Sequence, residues 1–276
     1  MSSRPRIQYI QSEYDGTRLE LRVTVPTHLT ECVVILVHPY PTLGGNFDNN
    51  VIMALEHHFQ QQWQAVTVAL NLRGAGNSQG HTSWTARPEV SDVTSVVKWL
   101  QAMKSGESNE QHVSCDPQGT QWSKLTRLIL CGYSYGALVS ALVPPGSATS
   151  FQDVHYILVS YPFGVAWALT LGRQRTCYRA LETLLQAITK GQTKVRGLLS
   201  VAGNHDQFTS YSTYQGHHAN LQAQVANGSP DTLPGYTFRI LDNVDHFWFG
   251  QESFLCKEID HWRTLTFARS MSNQTN

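Results

Sequence analysis

Short runs of apolar residues alternate along the chain with longer stretches in which apolar residues recur every three or four positions. The first two runs, residues 7–11 and 19–25, flank Asp15-Gly16, a dipeptide typical of β-hairpin turns. Later runs are continuously apolar, which predicts strands that are buried on both faces of a parallel sheet. These strands are expected at residues 32–37, 65–72, 127–131, 155–160, 195–202 and 236–241.

Helices are expected between the strands, where apolar positions fall on one helical face. Residues 50–63 show this pattern well, since Val51, Leu55 and Phe59 lie four residues apart. Further helices are predicted at residues 89–103, 165–188, 209–225 and 252–267. Strands that alternate with helices predict the α/β class. We expect a doubly wound, mostly parallel eight-stranded sheet flanked by helices, with an N-terminal β-hairpin.

The length of the chain favours one large domain. A chain of 276 residues with 41% hydrophobic content buries a substantial core, so we expect a single domain over residues 1–276. The polar stretch 105–124 is expected to be a surface loop, because the strand after it continues the same alternation. Residues 164–190 are too few for a large lid and are expected to form a small cap at most.

Charge and cysteine content narrow the class of protein. The 20 basic and 20 acidic residues cancel, which argues against binding to nucleic acid or to an anionic membrane. The N-terminus lacks the apolar stretch of a signal peptide, and no apolar run is long enough to span a bilayer. The odd number of cysteines, five, argues against a disulfide framework. A soluble cytoplasmic protein is therefore expected.

No metal site is expected from the sequence. It contains no C-x-x-C or H-E-x-x-H motif, and the paired histidines His57-His58 and His217-His218 are adjacent rather than four residues apart. Adjacent residues point in different directions on a helix, so neither pair presents two ligands from one face. We likewise expect no cofactor, and a small molecule as the substrate.

The strand at 127–131 continues into a G-x-S-x-G pentapeptide, residues 132–136, and then into an apolar segment that is compatible with a helix. A serine on a sharp strand-to-helix turn is held in a strained conformation that exposes its Oγ, and the flanking glycines leave room for the turn. Ser134 is therefore the candidate nucleophile. The alternative hypothesis is an ordinary strand–turn–helix junction with an incidental serine.

A second G-x-S-x-G pentapeptide occurs at residues 76–80. The residues after Ser78 show no apolar period that would seat a helix, so the backbone N–H groups and the helix dipole of a nucleophile elbow are missing there. We expect Ser78 to lie in a loop.

A serine hydroxyl becomes a good nucleophile only beside a base, and the base needs a carboxylate that holds its tautomer. In a doubly wound sheet the active site lies off the carboxyl ends of the strands. Asp206 follows the strand at 195–202, and His246 follows the last strand. The chain order Ser134, Asp206, His246 is the order expected after a nucleophile elbow, so these three residues are the predicted catalytic triad.

Other acidic residues and histidines are weaker candidates. Asp242 and Asp245 are close to His246 in sequence, but a neighbour on the same short loop is badly placed to meet the far ring nitrogen of that imidazole. Asp153 precedes a strand and falls at the wrong end of the sheet. His205 is expected to be a loop residue, and the alternative for His246 is likewise a loop histidine without a role.

Acyl transfer also needs an oxyanion hole, since negative charge develops on the substrate oxygen. One donor is expected to be the backbone N–H of Tyr135, which follows the nucleophile and opens a helix. The other is expected from the loop at 38–45. Pro39 and Pro41 have no N–H, which leaves Tyr40 as the favoured donor.

The motifs together resemble the α/β-hydrolase superfamily over nearly the full chain, and more narrowly its compact group close to the dienelactone-hydrolase type. In chain order they are H-P-x-P-x-x-G-G at 38–45, N-x-R-G-x-G-x-S-x-G at 71–80, G-x-S-x-G at 132–136 and D-H-F at 245–247. The resemblance implies that His38 and the Arg73-Gly74 turn support the active-site loops rather than react. It also implies that Asp245 is structural.

Aromatic residues crowd the predicted site. Most are expected to pack in the core, but four are candidates for the lining of a substrate pocket: Tyr133, Phe163, Trp167 and Phe247. An apolar pocket favours an uncharged acyl or aromatic substrate over a sugar or a phosphate ester.

The predicted function is that of a serine hydrolase that cleaves a carboxylic ester, thioester or related acyl bond through an acyl-enzyme. One alternative uses the same fold without hydrolysis, with His246 and the oxyanion hole promoting C–C bond formation, cyclisation or elimination. A second alternative is a binding protein that has lost turnover. The fold alone does not separate these functions.

Overall fold

The computed structural model describes residues 4–27, 31–106, 122–191, 193–225 and 235–272. Most of the polar stretch 105–124, residues 107–121, lies outside the described residues. The strands are Arg6–Gln11 (β1), Arg18–Thr24 (β2), Cys32–Val37 (β3), Val66–Asn71 (β4), Arg127–Tyr133 (β5), Asp153–Val159 (β6), Val195–His205 (β7) and Tyr236–Asp245 (β8). They form one sheet in the order β1-β2-β4-β3-β5-β6-β7-β8. The hairpin β1–β2 is antiparallel, β2 runs antiparallel to β4, and the other pairs are parallel. The predicted sheet is thereby confirmed.

Helices cover both faces of the sheet. They are Asn50–Gln62 (α1), Arg87–Ser105 (α2), Tyr135–Leu142 (α3), Ala166–Leu169 (α4), Gln174–Lys190 (α5), Tyr211–Val225 (α6) and Glu252–Ser272 (α7). Apolar residues of α1 and α7 pack in one core with one face of the strands, and those of α2, α3, α5 and α6 pack in a second core on the other face. Among these helices, α1 begins where it does because the Asn49 side chain accepts a hydrogen bond from the Val51 N–H. None of the helices in the described residues is both long and apolar enough to cross a bilayer.

The last two strands are longer than the apolar pattern predicts. β7 continues to His205 and β8 to Asp245, whereas the apolar runs end near 202 and 241. The register shifts between Gly203 and His205, and the ladder then resumes with His205 opposite Asp245. Polar residues extend these strands because the backbone hydrogen bonds do not depend on apolar side chains.

The single helix predicted at 165–188 is wrong. The segment holds two helices, α4 and α5, because Leu171 and Gly172 take left-handed backbone angles with φ of 48° and 77°. An α-helix cannot continue through two such residues. The sequence allowed a small cap over 164–190, but the apolar side of α5 belongs to the core, and α5 packs against α3, α6 and β7.

Candidate active site

Ser134 forms the turn between β5 and α3, with φ of 55° and ψ of −117°. A left-handed φ is strained for a residue with a side chain, and the surrounding structure has to hold it. A Cβ on Gly132 would lie 2.2 Å from the carbonyl oxygen of Gly136, and a Cβ on Gly136 would lie 2.0 Å from the carbonyl oxygen of Val37. Both glycines are therefore required by close backbone approach, as the sequence predicted.

Three predicted residues meet at the carboxyl edge of the sheet. Each directly follows a strand: Ser134 follows β5, Asp206 follows β7 and His246 follows β8. His246 Nε2 lies 2.9 Å from Ser134 Oγ, and His246 Nδ1 lies 2.7 Å from Asp206 Oδ2. An ionised carboxylate only accepts hydrogen bonds, so the proton sits on Nδ1 and Nε2 is free to accept the serine proton.

Asp206 is buried, and both oxygens of its carboxylate accept hydrogen bonds. Its Oδ1 accepts hydrogen bonds from the backbone N–H groups of Phe208 and Thr209, at 2.8 and 2.9 Å. Its Oδ2 accepts a further one from the Tyr214 hydroxyl at 3.0 Å, beside the bond from His246. These donors fix the orientation of the carboxylate toward the imidazole.

His246 is held from its backbone as well as from its ring. The Tyr133 hydroxyl donates to the His246 carbonyl oxygen at 2.7 Å, and the His246 N–H donates to Gln207 Oε1 at 3.1 Å. The imidazole lies between the rings of Tyr133 and Phe208, whose centroids are 5.6 and 4.6 Å from its own. Since the side chain is only 4% exposed, water reaches the imidazole on a small area.

The rival acidic residues have other partners. Asp245 Oδ1 accepts from the backbone N–H groups of Phe247 and Trp248, which forms the turn after β8. Asp242 accepts from the Asn204 amide. Asp153 is the first residue of β6, at the opposite end of the sheet from Ser134, and pairs with Arg127. None of these three contacts the His246 imidazole among the described residues.

The sequence analysis did not identify Tyr214 and Tyr133 as residues that support the triad. Tyr214 lies on α6, eight residues after Asp206, and Tyr133 lies at the end of β5. Both are buried tyrosines, and only the folded chain shows that their hydroxyls meet Asp206 and His246. A buried tyrosine hydroxyl usually has a hydrogen-bond partner, but the sequence does not say which one.

Tyr214→Phe is expected to lower kcat about tenfold and to leave KM nearly unchanged. The change removes one hydrogen bond to a carboxylate that keeps three other donors, and bonds to charged groups are the stronger ones. Steady-state kinetics checks this, with Tyr156→Phe as the matched control, because the buried Tyr156 hydroxyl contacts the Val143 carbonyl oxygen instead. Equal kcat values in the two variants would show that Tyr214 does not position Asp206.

Ser78, in the second G-x-S-x-G, is a structural residue. Its Oγ donates to the Asn71 carbonyl oxygen at 2.6 Å and accepts from the Glu20 N–H at 2.8 Å. Glu20 in turn accepts from the side-chain amides of Asn71 and Asn77, both at 2.7 Å. The motif at 71–80 thus ties the turn after β4 to β2, and no helix follows Ser78 directly.

His38 and Arg73 brace the neighbouring loops. His38 Nδ1 donates to the Pro39 carbonyl oxygen at 2.6 Å, and His38 Nε2 accepts from the Leu72 N–H at 3.0 Å, so the imidazole joins the ends of β3 and β4. Arg73 forms two hydrogen bonds with the buried Asp92 carboxylate and also contacts Asp15. The Arg73 guanidinium lowers the pKa of Asp15 to about 2. These contacts support the loops, as the resemblance implied.

Two buried neutral histidines make the fold sensitive to acid. Burial lowers the pKa of His38 from 6.5 to about 4. Burial, helped by the Arg127 and Arg196 charges, lowers that of His155 to about 3. Below about pH 6.5 the unfolded chain binds protons at these histidines, whereas the folded chain does not. The free energy that the neutral histidines contribute to stability is therefore complete above that pH and is lost as the pH falls.

The free energy of unfolding is therefore expected to fall between pH 7 and pH 5 by about 2 kcal/mol for each of the two histidines. Urea unfolding at the two pH values measures this. In His155→Leu the fall should be smaller by about 2 kcal/mol, the contribution of one histidine. Leucine suits the site because the His155 ring packs against Trp262 and Phe267, and neither ring nitrogen has a hydrogen-bond partner among the described residues. An unchanged fall in this variant would refute the assignment.

The two predicted oxyanion donors lie close together: Tyr40 follows β3 in a loop, and Tyr135 is the first residue of α3. The rings of Tyr40 and Tyr135 meet edge to face with centroids 5.0 Å apart. Within the described residues, neither backbone N–H donates to a backbone or side-chain acceptor. The Tyr40 carbonyl oxygen is occupied by the N–H groups of Leu43 and Gly45, which fixes the loop around it.

The four pocket candidates have different surroundings. Phe247 is 42% exposed beside His246, and Trp167 is 60% exposed on α4. Phe163 is buried and stacks on the His217 ring with centroids 4.3 Å apart. Tyr133 is buried behind His246 and uses its hydroxyl there, so it supports the histidine rather than offering a surface to a substrate. In the described part of the chain, no group of three or more His, Cys, Asp or Glu side chains is arranged to hold a metal ion.

Part of the sequence matches a known protein family. Residues 15–150 match the model of a family described as X-Pro dipeptidyl-peptidase (S15 family). This match covers slightly less than half of the chain and includes Ser134 but neither Asp206 nor His246. A search of the curated proteins found no match.

Solved structures are similar over almost the whole chain. An α/β serine hydrolase homologue from Coxiella burnetii is 22% identical with a TM-score of 0.59, over 91% of this chain and 94% of that one. An α/β serine hydrolase without a lid from Xanthomonas campestris is 18% identical with a TM-score of 0.64, over 95% and 94%. Est1E from Butyrivibrio proteoclasticus, with ferulic acid bound, is 15% identical with a TM-score of 0.64, over 95% and 99%. The chain therefore has the α/β-hydrolase fold, and the resemblance drawn from its motifs is confirmed for the fold.

Proposed function

We propose that the chain is a serine hydrolase that cleaves a carboxylic ester, thioester or related acyl bond of a small apolar or aromatic substrate through an acyl-enzyme. The observation that carries the proposal is the line of hydrogen bonds from Ser134 Oγ through the His246 imidazole to the Asp206 carboxylate. Such a line is the arrangement that makes a serine hydroxyl nucleophilic near neutral pH.

The first half of the reaction forms the acyl-enzyme. Ser134 Oγ attacks the substrate carbonyl carbon while His246 Nε2 takes the hydroxyl proton. Asp206 stabilises the imidazolium that results and keeps its Nδ1–H in place. The tetrahedral intermediate then collapses, and His246 gives its proton to the leaving group as the carbon–oxygen or carbon–sulfur bond breaks.

The second half releases the acid. A water molecule gives a proton to His246 Nε2 and attacks the acyl carbon, and the proton then returns to Ser134 Oγ as its bond to the acyl group breaks. In both halves the negative oxygen is stabilised by the backbone N–H groups of Tyr40 and Tyr135, and the N-terminus of α3 adds its positive dipole end.

Aromatic side chains around His246 support an apolar or aromatic acyl group. Phe208 contacts the His246 ring edge to face, and Phe247 lies between Phe208 and Phe249 with ring centroids about 6 Å from each. The ferulic acid bound to Est1E supports an aromatic acyl group. The similarity to the esterase of Pyrococcus furiosus, with a TM-score of 0.63, supports an ester substrate. Phe247 therefore lines the proposed substrate pocket, and we propose that Phe208 lines it as well.

The family match favours a second candidate, the cleavage of a peptide bond after proline. Hydrolysis of p-nitrophenyl esters of two to eight carbons, compared with a glycyl-prolyl anilide, separates the two candidates. The proposal predicts ester turnover that rises with the length of the acyl chain. Turnover of the anilide alone would favour the peptidase. If the folded chain hydrolyses neither the esters nor the anilide, both candidate functions are contradicted.

Tyr40→Pro is expected to lower turnover about 10²-fold or more, because it deletes one proposed oxyanion donor. Tyr40 already has φ of −58° and ψ of 120°, which suit a proline that precedes another proline, so added strain is small. Tyr40→Phe is the matched control and should keep most of the activity, since its N–H remains. The kcat values of both variants measure the effect, and full turnover by a folded Tyr40→Pro variant would remove Tyr40 from the oxyanion hole.

A further inference from the structure

A cavity opens on the face of the sheet that carries α2, α3 and α5. Its volume is about 220 Å³. It is lined by the buried residues Ala86, Thr170 and Cys177 and by half-buried Val90 and Leu142. The Thr170 hydroxyl is already donated to the Ala166 carbonyl oxygen. The interior of the cavity is therefore apolar.

Two arginines also line this cavity: Arg87, which is exposed at the start of α2, and Arg173, which is half-buried just before α5. Neither forms an ion pair within the described residues, whereas Arg22, Arg73 and Arg127 each do. Thr85 and Thr176 line the cavity as well, and neither hydroxyl has a hydrogen-bond partner in the described part of the chain.

Arg173 lies one helical turn before Cys177. The Cys177 thiol donates to the Arg173 carbonyl oxygen at 3.8 Å, so both residues belong to the same part of the cavity lining. The sequence contains no acidic residue between Asp153 and Glu182. On α2, the buried Glu89 carboxylate accepts hydrogen bonds from the Ser83 N–H and hydroxyl.

The cavity is separate from Ser134. Ser134 precedes the first residue of α3, and Leu142, which lines the cavity, is its last residue. At 1.5 Å per residue the two positions are about 12 Å apart along the helix axis. A ligand in the cavity therefore contacts the far end of the helix that begins at the candidate nucleophile.

We propose that this cavity binds an amphiphilic carboxylate, a single carboxylate group on a short hydrocarbon tail. The carboxylate pairs with the guanidinium groups of Arg87 and Arg173, whose planar donor pattern matches it. The tail fills the apolar interior. A cavity of roughly 150 Å³ holds benzene, so this one suits a tail of about six to eight carbons. The site goes beyond the proposed hydrolysis and does not depend on it.

Calorimetric titration of the full chain with sodium hexanoate tests the proposal. We expect hexanoate to bind at least tenfold more tightly than 1-hexanol, which lacks the charge, and than inorganic phosphate, which lacks the tail. Equal binding of hexanol would contradict the role of the arginines, and equal binding of phosphate would contradict the role of the apolar interior.

Three variants locate the binding. Arg173→Gln should weaken hexanoate binding at least tenfold, whereas Arg179→Gln should not change it, since Arg179 is an exposed residue of the same helix outside the cavity lining. Val90→Phe should block the interior and abolish binding without removing a charge. If Arg173→Gln and Val90→Phe both bind hexanoate as tightly as the unchanged chain, the cavity is not its site and the proposal fails.

Discussion

Asp206→Asn is expected to lower turnover about 10⁴-fold, the largest loss among the single substitutions considered. The asparagine amide is nearly isosteric with the carboxylate, so the backbone bonds from Phe208 and Thr209 can persist. The new NH₂ group donates where the carboxylate accepted, which favours the His246 tautomer with its proton on Nε2. That tautomer cannot accept the serine proton, and the imidazolium also loses its counter-charge.

Asp245→Asn is the matched control for this loss. Asp245 is also a carboxylate, and it directly precedes His246 in the sequence. Its Oδ1, however, accepts only backbone N–H groups in the turn after β8. An asparagine carbonyl oxygen can accept the same bonds, so turnover should fall less than about tenfold. Steady-state kinetics on the preferred ester measures both variants. A large loss in Asp245→Asn and a small one in Asp206→Asn would reassign the carboxylate.

Ser134→Ala is expected to lower turnover on the order of 10³-fold or more while the protein remains folded. The change removes only the hydroxyl that His246 contacts, and it leaves the turn and its glycines in place. Residual turnover would come from the oxyanion hole and from substrate binding. Circular dichroism and the urea midpoint verify that the variant is folded.

Ser78→Ala is the control that the chain itself offers, because Ser78 occupies the same position in the other G-x-S-x-G pentapeptide. Its hydroxyl bonds with the Asn71 carbonyl oxygen and the Glu20 N–H, both in buried surroundings. This variant should lose about 1–3 kcal/mol of stability and keep its turnover per folded molecule. A pattern in which Ser78→Ala loses turnover and Ser134→Ala keeps it would exchange the roles of the two serines.

The sequence predicted the strands and the three residues of the candidate triad for one physical reason. A run of apolar residues between polar segments marks a strand that is buried on both faces, and the residue directly after such a strand lies at the carboxyl edge of the sheet. Ser134, Asp206 and His246 all occupy that position. Their approach to within hydrogen-bond distance in the structure follows from strand order, because β5, β6, β7 and β8 are neighbours.

The sequence did not predict features that depend on tertiary packing. The extension of β7 and β8 past residues 202 and 241 depends on the pairing of two polar strand ends across a register shift. The break between α4 and α5 depends on left-handed backbone angles at Leu171 as well as at Gly172, and leucine gives no local signal for such a conformation. The hydroxyl of Tyr214 meets Asp206 only because α6 packs beside β7.

Labelling with a fluorophosphonate, followed by intact mass and peptide mapping, tests the central claim most directly. The account predicts one adduct per chain, located on Ser134 and absent from Ser134→Ala. The same adduct should form at the normal rate in Ser78→Ala and much more slowly in Asp206→Asn, because only the second variant loses the carboxylate that holds His246 in the tautomer that activates the serine. An adduct that persists in Ser134→Ala, or the absence of any adduct on the folded chain, would contradict the account.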